Sequence, residues 1–284
     1  MIYNTKELRS NLVKSLSDDV SSMTRKPVLK VLLVGDNPAS VSYVTSKQRL
    51  AEQIGIDAET IKITENISQK DLNDYIEIIS NQDNVDGVLL QLPLPSHLDE
   101  SEALSHLNPQ KDVDGLTLIQ QGKLFSSTAE YKPCTPKGIM TILSDLGYHD
   151  LAGLNVVVVG RSKLVGMPVA KLCQDKNATV TICHSKTKSI KNITRNADIL
   201  IVAIGRANAI DSSYISDNVR VVIDVGINRI NGKLYGDCDT LDIEDKYGDT
   251  CTITGVPGGV GPMTVVSLIE NTIQSARGLK TCTH

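Results

Sequence analysis

The chain has 284 residues, of which 40% are apolar and 22% charged, and its formal net charge is −4. Such a composition describes a folded globular protein, long enough for two modest domains or one large one, and excludes a disordered chain. The small negative charge offers no footprint for nucleic acid or an anionic membrane, and with no Trp and Phe125 as the only Phe, stacking platforms for unpaired bases are scarce.

The predicted elements alternate in type along the chain. Residues 28–34 are rich in Val and Leu, end at Gly35 and read as a buried strand. Residues 58–63 and 87–90 read as further strands, with helical patterns at 40–53 and 70–80 between them. This first block runs to about Leu118. A polar stretch at 120–132 offers few core residues. Pro133-Cys134-Thr135-Pro136 then predicts a helix capped by Thr135, running to about Asp145 and stopping at Gly147. The pattern restarts with strands at 155–159, 179–183, 199–203 and 219–225, and helices at 165–176 and 190–196. Pro262 opens a last helix through about Ser275. Alternating strands and helices predict an α/β protein whose parallel sheets are covered on both faces.

Residues 1–10 are polar and hold no apolar signal core, and no run reaches the length of a membrane span, so a cytoplasmic protein is expected. Cys134, Cys173, Cys183, Cys238, Cys251 and Cys282 form no CxxC pair and are expected as reduced, mostly buried thiols. The five His are spread out, and no metal site is expected.

A strand ending in Gly160-Arg161-Ser162 and followed by a helix is where a dinucleotide-binding domain holds pyrophosphate. The spacing through Gly166 lacks the middle glycine of GxGxxG, so a plain strand–turn–helix remains an even alternative on this evidence alone. The end of the next strand adds weight. It reads His184-Ser185-Lys186-Thr187, without the carboxylate that binds the ribose 2′-hydroxyl of NAD. Hydroxyls and cations, with Arg161 in reach, suit the 2′-phosphate of NADP.

Asn37-Pro38 suits the start of the helix that carries Tyr43 and Lys47, four residues apart on one face. A lysine facing inward is a usable base once desolvation lowers its pKa. A surface lysine lying over apolar neighbours is the commoner arrangement. Gln91 stands alone in the apolar run 87–95 at a strand end, where it can hydrogen-bond an amine or a substrate amide. In Asp112-Val113-Asp114-Gly115, a carboxylate can accept hydrogen bonds from an amino-substituted heterocycle. Residues 255–264 hold four glycines and two prolines, which argues against a regular helix or strand and for close approach of backbone to a ligand. They lack the Gly-Lys-Ser/Thr ending of a phosphate-binding P-loop.

Taken together these segments resemble the bifunctional methylenetetrahydrofolate dehydrogenase/cyclohydrolase family. The resemblance is carried in order by Tyr43-Val44-Thr45-Ser46-Lys47, Leu90-Gln91-Leu92-Pro93-Leu94-Pro95, Lys111-Asp112-Val113-Asp114-Gly115, Pro133-Cys134-Thr135-Pro136, Gly160-Arg161-Ser162 with Val165-Gly166 and Pro168, His184-Ser185-Lys186-Thr187, Asp224-Val225-Gly226-Ile227-Asn228, and residues 257–264. It implies two αβα domains around a cleft. The catalytic, folate-binding domain would hold residues 1–118 plus 264–284, and a Rossmann-type NADP domain residues 137–263. It also implies a homodimer.

By this resemblance Lys47 is the catalytic lysine, Gln91 its partner, Tyr43 the residue that stacks on folate and Asp114 the one that binds the pterin. Leu90, Leu92, Pro257, Gly258, Gly259 and Pro262 would contact substrate. Gly160, Arg161, Ser162, Ser185 and Ile227 would contact NADP. The implied reaction is oxidation of 5,10-methylenetetrahydrofolate followed by hydrolysis of the methenyl product. Two alternatives remain at this stage: a shikimate-type dehydrogenase on the same two-domain plan, and a folate- or NADP-binding regulatory module without turnover.

Overall fold

The computed structural model describes residues 1–278. They divide into two compact units, one of residues 11–134 with those from Val265 onward, the other of residues 1–10 with 135–264. The unit boundaries fall inside the first and the last helix. The sequence reading keeps the N-terminus with the first domain. Residues 1–10 group with the second because strand β1 (Ile2–Tyr3) pairs in its sheet.

The first unit is built around three parallel strands: β2 (Val28–Val34), flanked by β3 (Asp57–Ile63) and β4 (Gly87–Leu90). Leu32 stands opposite Ile61 on one side and Leu90 on the other. Helix α1 (Lys6–Ser21) precedes the sheet, and α2 (Pro38–Ile54) and α3 (Gln69–Ser80) connect its strands. Every residue of β4 is buried, as a parallel strand covered on both faces requires. The short α4 (Glu100–Ser105) follows.

The stretch 120–132, expected to be polar with few core residues, opens within α5 (Leu118–Phe125). Thr117 caps it by accepting the N–H of Gln120, and only Gln120 and Leu124 are buried on it. So thin an apolar stripe leaves little helical period in the sequence. Tyr131, in the same stretch, is fully buried.

The second unit holds a six-stranded sheet, all parallel, in the order β1-β11-β8-β7-β5-β6. Its strands are β5 (Asn155–Val159), β6 (Thr179–Cys183), β7 (Ile199–Val202), β8 (Val221–Asp224) and β11 (Thr252–Thr254), with β1 at the edge. Helices α6 (Cys134–Asp145), α7 (Gly166–Asp175), α8 (Ile190–Thr194) and α9 (Thr240–Tyr247) lie between or before them. Thr135 is not the cap of α6, which starts one residue earlier.

A hairpin of β9 (Asn228–Ile230) and β10 (Lys233–Tyr235) turns through Asn231-Gly232, both at positive φ. Asn-Gly is a strong sequence sign of such a turn, and the strand assignment above passes over it. Helix α10 (Val260–Ala276) starts two residues before Pro262, so the end of the glycine-rich segment is helical after all. The first turn tolerates this because its N–H groups have no helical acceptor to lose. Five cysteines, Cys134, Cys173, Cys183, Cys238 and Cys251, are free and buried; Cys282 lies outside the described residues.

Asn271 on α10 is 1% exposed, and its amide donates to the carbonyls of Val113 at 2.8 Å and Lys132 at 3.0 Å. These bonds tie the loop that carries Asp114 to the helix. Asn271→Leu leaves the buried Val113 carbonyl and the half-buried Lys132 carbonyl without that donor and is expected to cost about 1–3 kcal/mol of stability. Chemical denaturation of the full chain reads this directly, and an unchanged midpoint would show that other donors replace the amide.

Candidate active site

Lys47 sits where the pattern of α2 calls for an apolar side chain. The helix starts at Asn37, whose side chain accepts the N–H of Ala39 at 3.0 Å and of Ser40 at 3.4 Å, with Pro38 in its first turn. Ser40, Val44, Lys47, Ala51 and Ile54 face the same buried side. Gly55, in the left-handed conformation, ends the helix. Lys47 is only 4% exposed, so it is not a surface lysine.

Its Nζ donates to Gln91 Oε1 at 3.0 Å and lies 4.4 Å from the centre of the Tyr43 ring. Gln91 directly follows β4 and is fixed at both ends. Its N–H donates to the Leu32 carbonyl at 2.9 Å, and its side-chain amide to the Leu92 carbonyl at 2.5 Å. The Leu90 side chain is buried in the core beside β4, and Leu92 packs against that core. Gln91 is therefore the polar group that this strand end presents.

Asp114 is brought to the same place by a loop laid along β4. Val88 donates to the Lys111 carbonyl at 2.8 Å and pairs with Asp112. The buried Asp112 carboxylate accepts the Thr117 N–H at 2.7 Å, and its pKa is pushed up to about 6, chiefly by burial. Gly115 turns the loop at φ +69°, and a Cβ there would lie 2.9 Å from the Pro133 nitrogen.

Burial depresses the Lys47 pKa below the ordinary lysine value, while the charge of Asp114 acts in the opposite sense. The group of four thus combines a desolvated amine, an amide that aims it, an aromatic face and a carboxylate. That set can take a proton from water and hold a flat heterocycle with exocyclic N–H groups.

The other unit carries the remaining predicted residues. Gly160 ends β5 at φ +131°, and a Cβ on it would lie 2.2 Å from the Ala203 carbonyl oxygen. A Cβ on Gly166 would lie 2.4 Å from the Gly160 oxygen, so helix α7 abuts the strand end as closely as the last glycine of a dinucleotide fingerprint allows. Ser162 stands in place of the missing middle glycine and braces the turn that leads into the helix, whose N-cap is Val165. The Ser162 Oγ accepts the N–H groups of Val165 at 3.1 Å and Gly166 at 3.3 Å.

Among the described residues, no acceptor meets the N–H groups of Arg161, Ser162, Lys163 and Leu164. Four amides in the turn between β5 and the start of α7, beside two exposed cations, fit a dinucleotide phosphate. Ser185 is exposed in a turn after β6, closed by Thr187 donating to the His184 carbonyl at 2.8 Å, and no carboxylate stands in that turn. Ile227 is 56% exposed after β8, and a Cβ on Gly261 would lie 3.3 Å from its Cδ1. The glycine-rich segment therefore borders this loop. Its Gly258 carbonyl accepts from the Thr5 N–H at 2.8 Å, and Pro257 follows a cis peptide bond. The structure thus gathers Tyr43, Lys47, Gln91 and Asp114 in one unit, and Gly160, Arg161, Ser162, Ser185, Ile227, Pro257, Gly258, Gly259 and Pro262 in the other.

Residues 3–114 match the family model for the tetrahydrofolate dehydrogenase/cyclohydrolase catalytic domain, and residues 133–280 the model for the NAD(P)-binding domain of the same family. A protein of Oceanobacillus iheyensis named bifunctional protein FolD is 46% identical over 282 residues, covering 98% of this chain and 97% of that one. The crystal structure of the bifunctional FolD methylenetetrahydrofolate dehydrogenase/cyclohydrolase from Campylobacter jejuni superposes with a TM-score of 0.91 at 40% identity, over 98% of each chain. A Trypanosoma brucei dehydrogenase–cyclohydrolase, complexed with NADP cofactor and inhibitor, gives 0.89 at 30% identity, over 99% of this chain and 98% of that one.

The buried amine has a consequence for stability. Folding lowers the proton affinity of Lys47, so the unfolded chain binds more protons between the lowered pKa and the ordinary lysine value. Stability at this site therefore rises with pH through that interval, and the cost is present at neutral pH. Lys47→Met, of similar length and apolar, is expected to melt at or above the wild-type temperature at pH 7. A clear fall in melting temperature would mean that the Gln91 hydrogen bond outweighs desolvation.

Proposed function

Since the chain belongs to the tetrahydrofolate dehydrogenase/cyclohydrolase family, we propose that its chemistry is carried by Lys47, Gln91, Tyr43 and Asp114. The protein oxidises 5,10-methylenetetrahydrofolate to 5,10-methenyltetrahydrofolate with NADP+, then hydrolyses that product to 10-formyltetrahydrofolate, an interconversion of one-carbon metabolism. The observation that carries the assignment of residues is the buried Lys47 amine held on Gln91.

NADP+, when bound, supplies the hydride acceptor. Arg161, Ser162 and the free amides after β5 would hold its phosphates, with Ser185 in the turn after β6 and Ile227 after β8. The absence of a carboxylate from the Ser185 turn removes the group that would repel a 2′-phosphate. Oxidation leaves the substrate with a cationic methenyl bridge, which water attacks. A neutral Lys47 takes a proton from that water, and Gln91 keeps the amine aimed at it. Tyr43 stacks on the flat ring system, and Asp114 accepts from the amino-substituted pterin. Asp114 also favours the protonated amine, so it helps Lys47 to accept the proton that it removes.

No helix among the described residues is long and apolar enough to cross a membrane. A cytoplasmic homodimer is part of the same reading.

Purified protein given 5,10-methylenetetrahydrofolate and NADP+ is expected to form NADPH, with methenyl folate decaying faster than in buffer. No reduced cofactor would overturn the oxidative half of the function. Lys47→Met is expected to lower cyclohydrolase turnover by about 10²–10⁴-fold, the usual contribution of a positioned base. Cyclohydrolase at the wild-type rate in this variant would remove Lys47 from the mechanism. Asp114→Ala is expected to weaken folate binding more than NADP+ binding in calorimetric titrations, and equal losses would count against its pterin role.

A further inference from the structure

Asp237 belongs to none of the segments that point to function. It lies two residues beyond β10 and its side chain is fully buried. One oxygen accepts the N–H groups of Ile204 at 2.6 Å and Gly205 at 2.9 Å. The other accepts the N–H of Arg206 at 2.8 Å and the side-chain amide of Asn228 at 2.9 Å. Three successive amides turned onto one anion make a nest of the kind that binds phosphate elsewhere. Here the anion is the protein's own carboxylate, and the loop after β7 is wrapped around it. Asn228 follows Ile227 directly, so the same carboxylate also holds the loop after β8.

Asp224, the last residue of β8, completes the arrangement. It is 1% exposed and accepts the N–H groups of Gly226 at 3.0 Å, Asp237 at 2.9 Å and Cys238 at 2.9 Å. Both carboxylates sit where only glycine leaves room. A Cβ on Gly226 would lie 2.2 Å from an Asp237 oxygen, and one on Gly236 would lie 1.8 Å from an Asp224 oxygen.

The place of these loops in the sheet gives them a role. From β5 the chain passes to β6 on one side, while β7 and then β8 lie on the other. Ligands in open parallel sheets bind beyond the strand carboxyl ends at such a reversal, and a dinucleotide extends to both sides of it. Arg161 and Ser162 stand at the reversal and Ser185 on the β6 side. The clamped loops lie on the β7 and β8 side, where the opposite, nicotinamide end of the cofactor falls.

We infer that Asp237 is a positioning residue for hydride transfer: it fixes the loops after β7 and β8 against the nicotinamide end of NADP without touching the cofactor. This inference rests on the NADP-dependent oxidation proposed above. The role has a selective consequence, because Lys47 and Gln91 belong to the other unit and hydrolysis of methenyl folate needs no hydride acceptor. Loss of the clamp should impair oxidation and spare hydrolysis, whereas a merely structural role would lower both in proportion to the folded fraction.

The test uses the full chain with Asp237→Asn, which keeps the shape but turns an N–H donor toward amide donors, and with the milder Asn228→Ala, which keeps the carboxylate and its three loop amides. For Asp237→Asn the expected result is a fall of at least about tenfold in dehydrogenase kcat/KM for NADP+, the size of one lost charge-assisted hydrogen bond. Cyclohydrolase turnover on methenyl folate should remain at the wild-type level. In the cofactor-free protein, hydrogen exchange at Ile204, Gly205 and Arg206 should be faster. Asn228→Ala should shift the same ratio in the same direction by less, and it decides the matter if Asp237→Asn does not fold. Equal losses of both activities, or unchanged oxidation, in the folded variants would overturn the inference while wild-type turnover leaves the NADP reading intact. Absence of NADP+ turnover in the wild type would overturn that reading and this inference with it.

Discussion

The burial of one amine governs the catalytic unit. Lys47 occupies a core position of α2, and taking an ammonium out of water there is costly. The fold answers with one acceptor, Gln91, a nearby aromatic face, Tyr43, and a carboxylate close enough to act through its charge, Asp114. Each needs its own support. Gln91 depends on the end of β4 and on its bond to the Leu92 carbonyl. Asp114 depends on a loop pinned by the Asp112 carboxylate, by Gly115 and by Asn271. The amine stays available for chemistry because no neighbour neutralises it by direct ion pairing at hydrogen-bond distance in the described residues.

The other unit solves the inverse problem with the inverse charge. Asp224 and Asp237 are buried anions that accept from main-chain amides and from one Asn side chain. Desolvation raises the Asp224 pKa to about 6, and its three amide bonds act against that rise. Amides spent on these carboxylates fix their loops. Among the described residues the amides of 161–164 meet no such acceptor, which suits the phosphate-holding role proposed for them. One backbone group thus has two uses, decided by whether a side-chain anion reaches it first.

Much of this was readable in the residues. The strands 28–34, 87–90, 155–159 and 179–183 are found at the positions their apolar runs predict, because parallel strands buried on both faces leave continuous apolar runs. Asn37-Pro38 marked the start of α2 through local capping geometry alone. Where local signals were thin, the reading failed. Helix α5 has only two buried residues and a thin stripe, β1 is a strand only by pairing with β11, and α10 begins inside a segment whose glycines and prolines argued against a helix.

The sequence by itself determined the alternation of strands and helices, the glycine-bearing turn after β5, the lack of a carboxylate in the Ser185 turn and the family, since these are properties of neighbouring residues and their order. Only the tertiary structure decided that Lys47 is buried, that Gln91 meets it across 44 positions of chain, and that Asp237 gathers the loop after β7 from more than 30 positions away. Those are contacts between distant residues. Burial, hydrogen-bond partners and pKa shifts arise from such contacts, and no local period or motif records them.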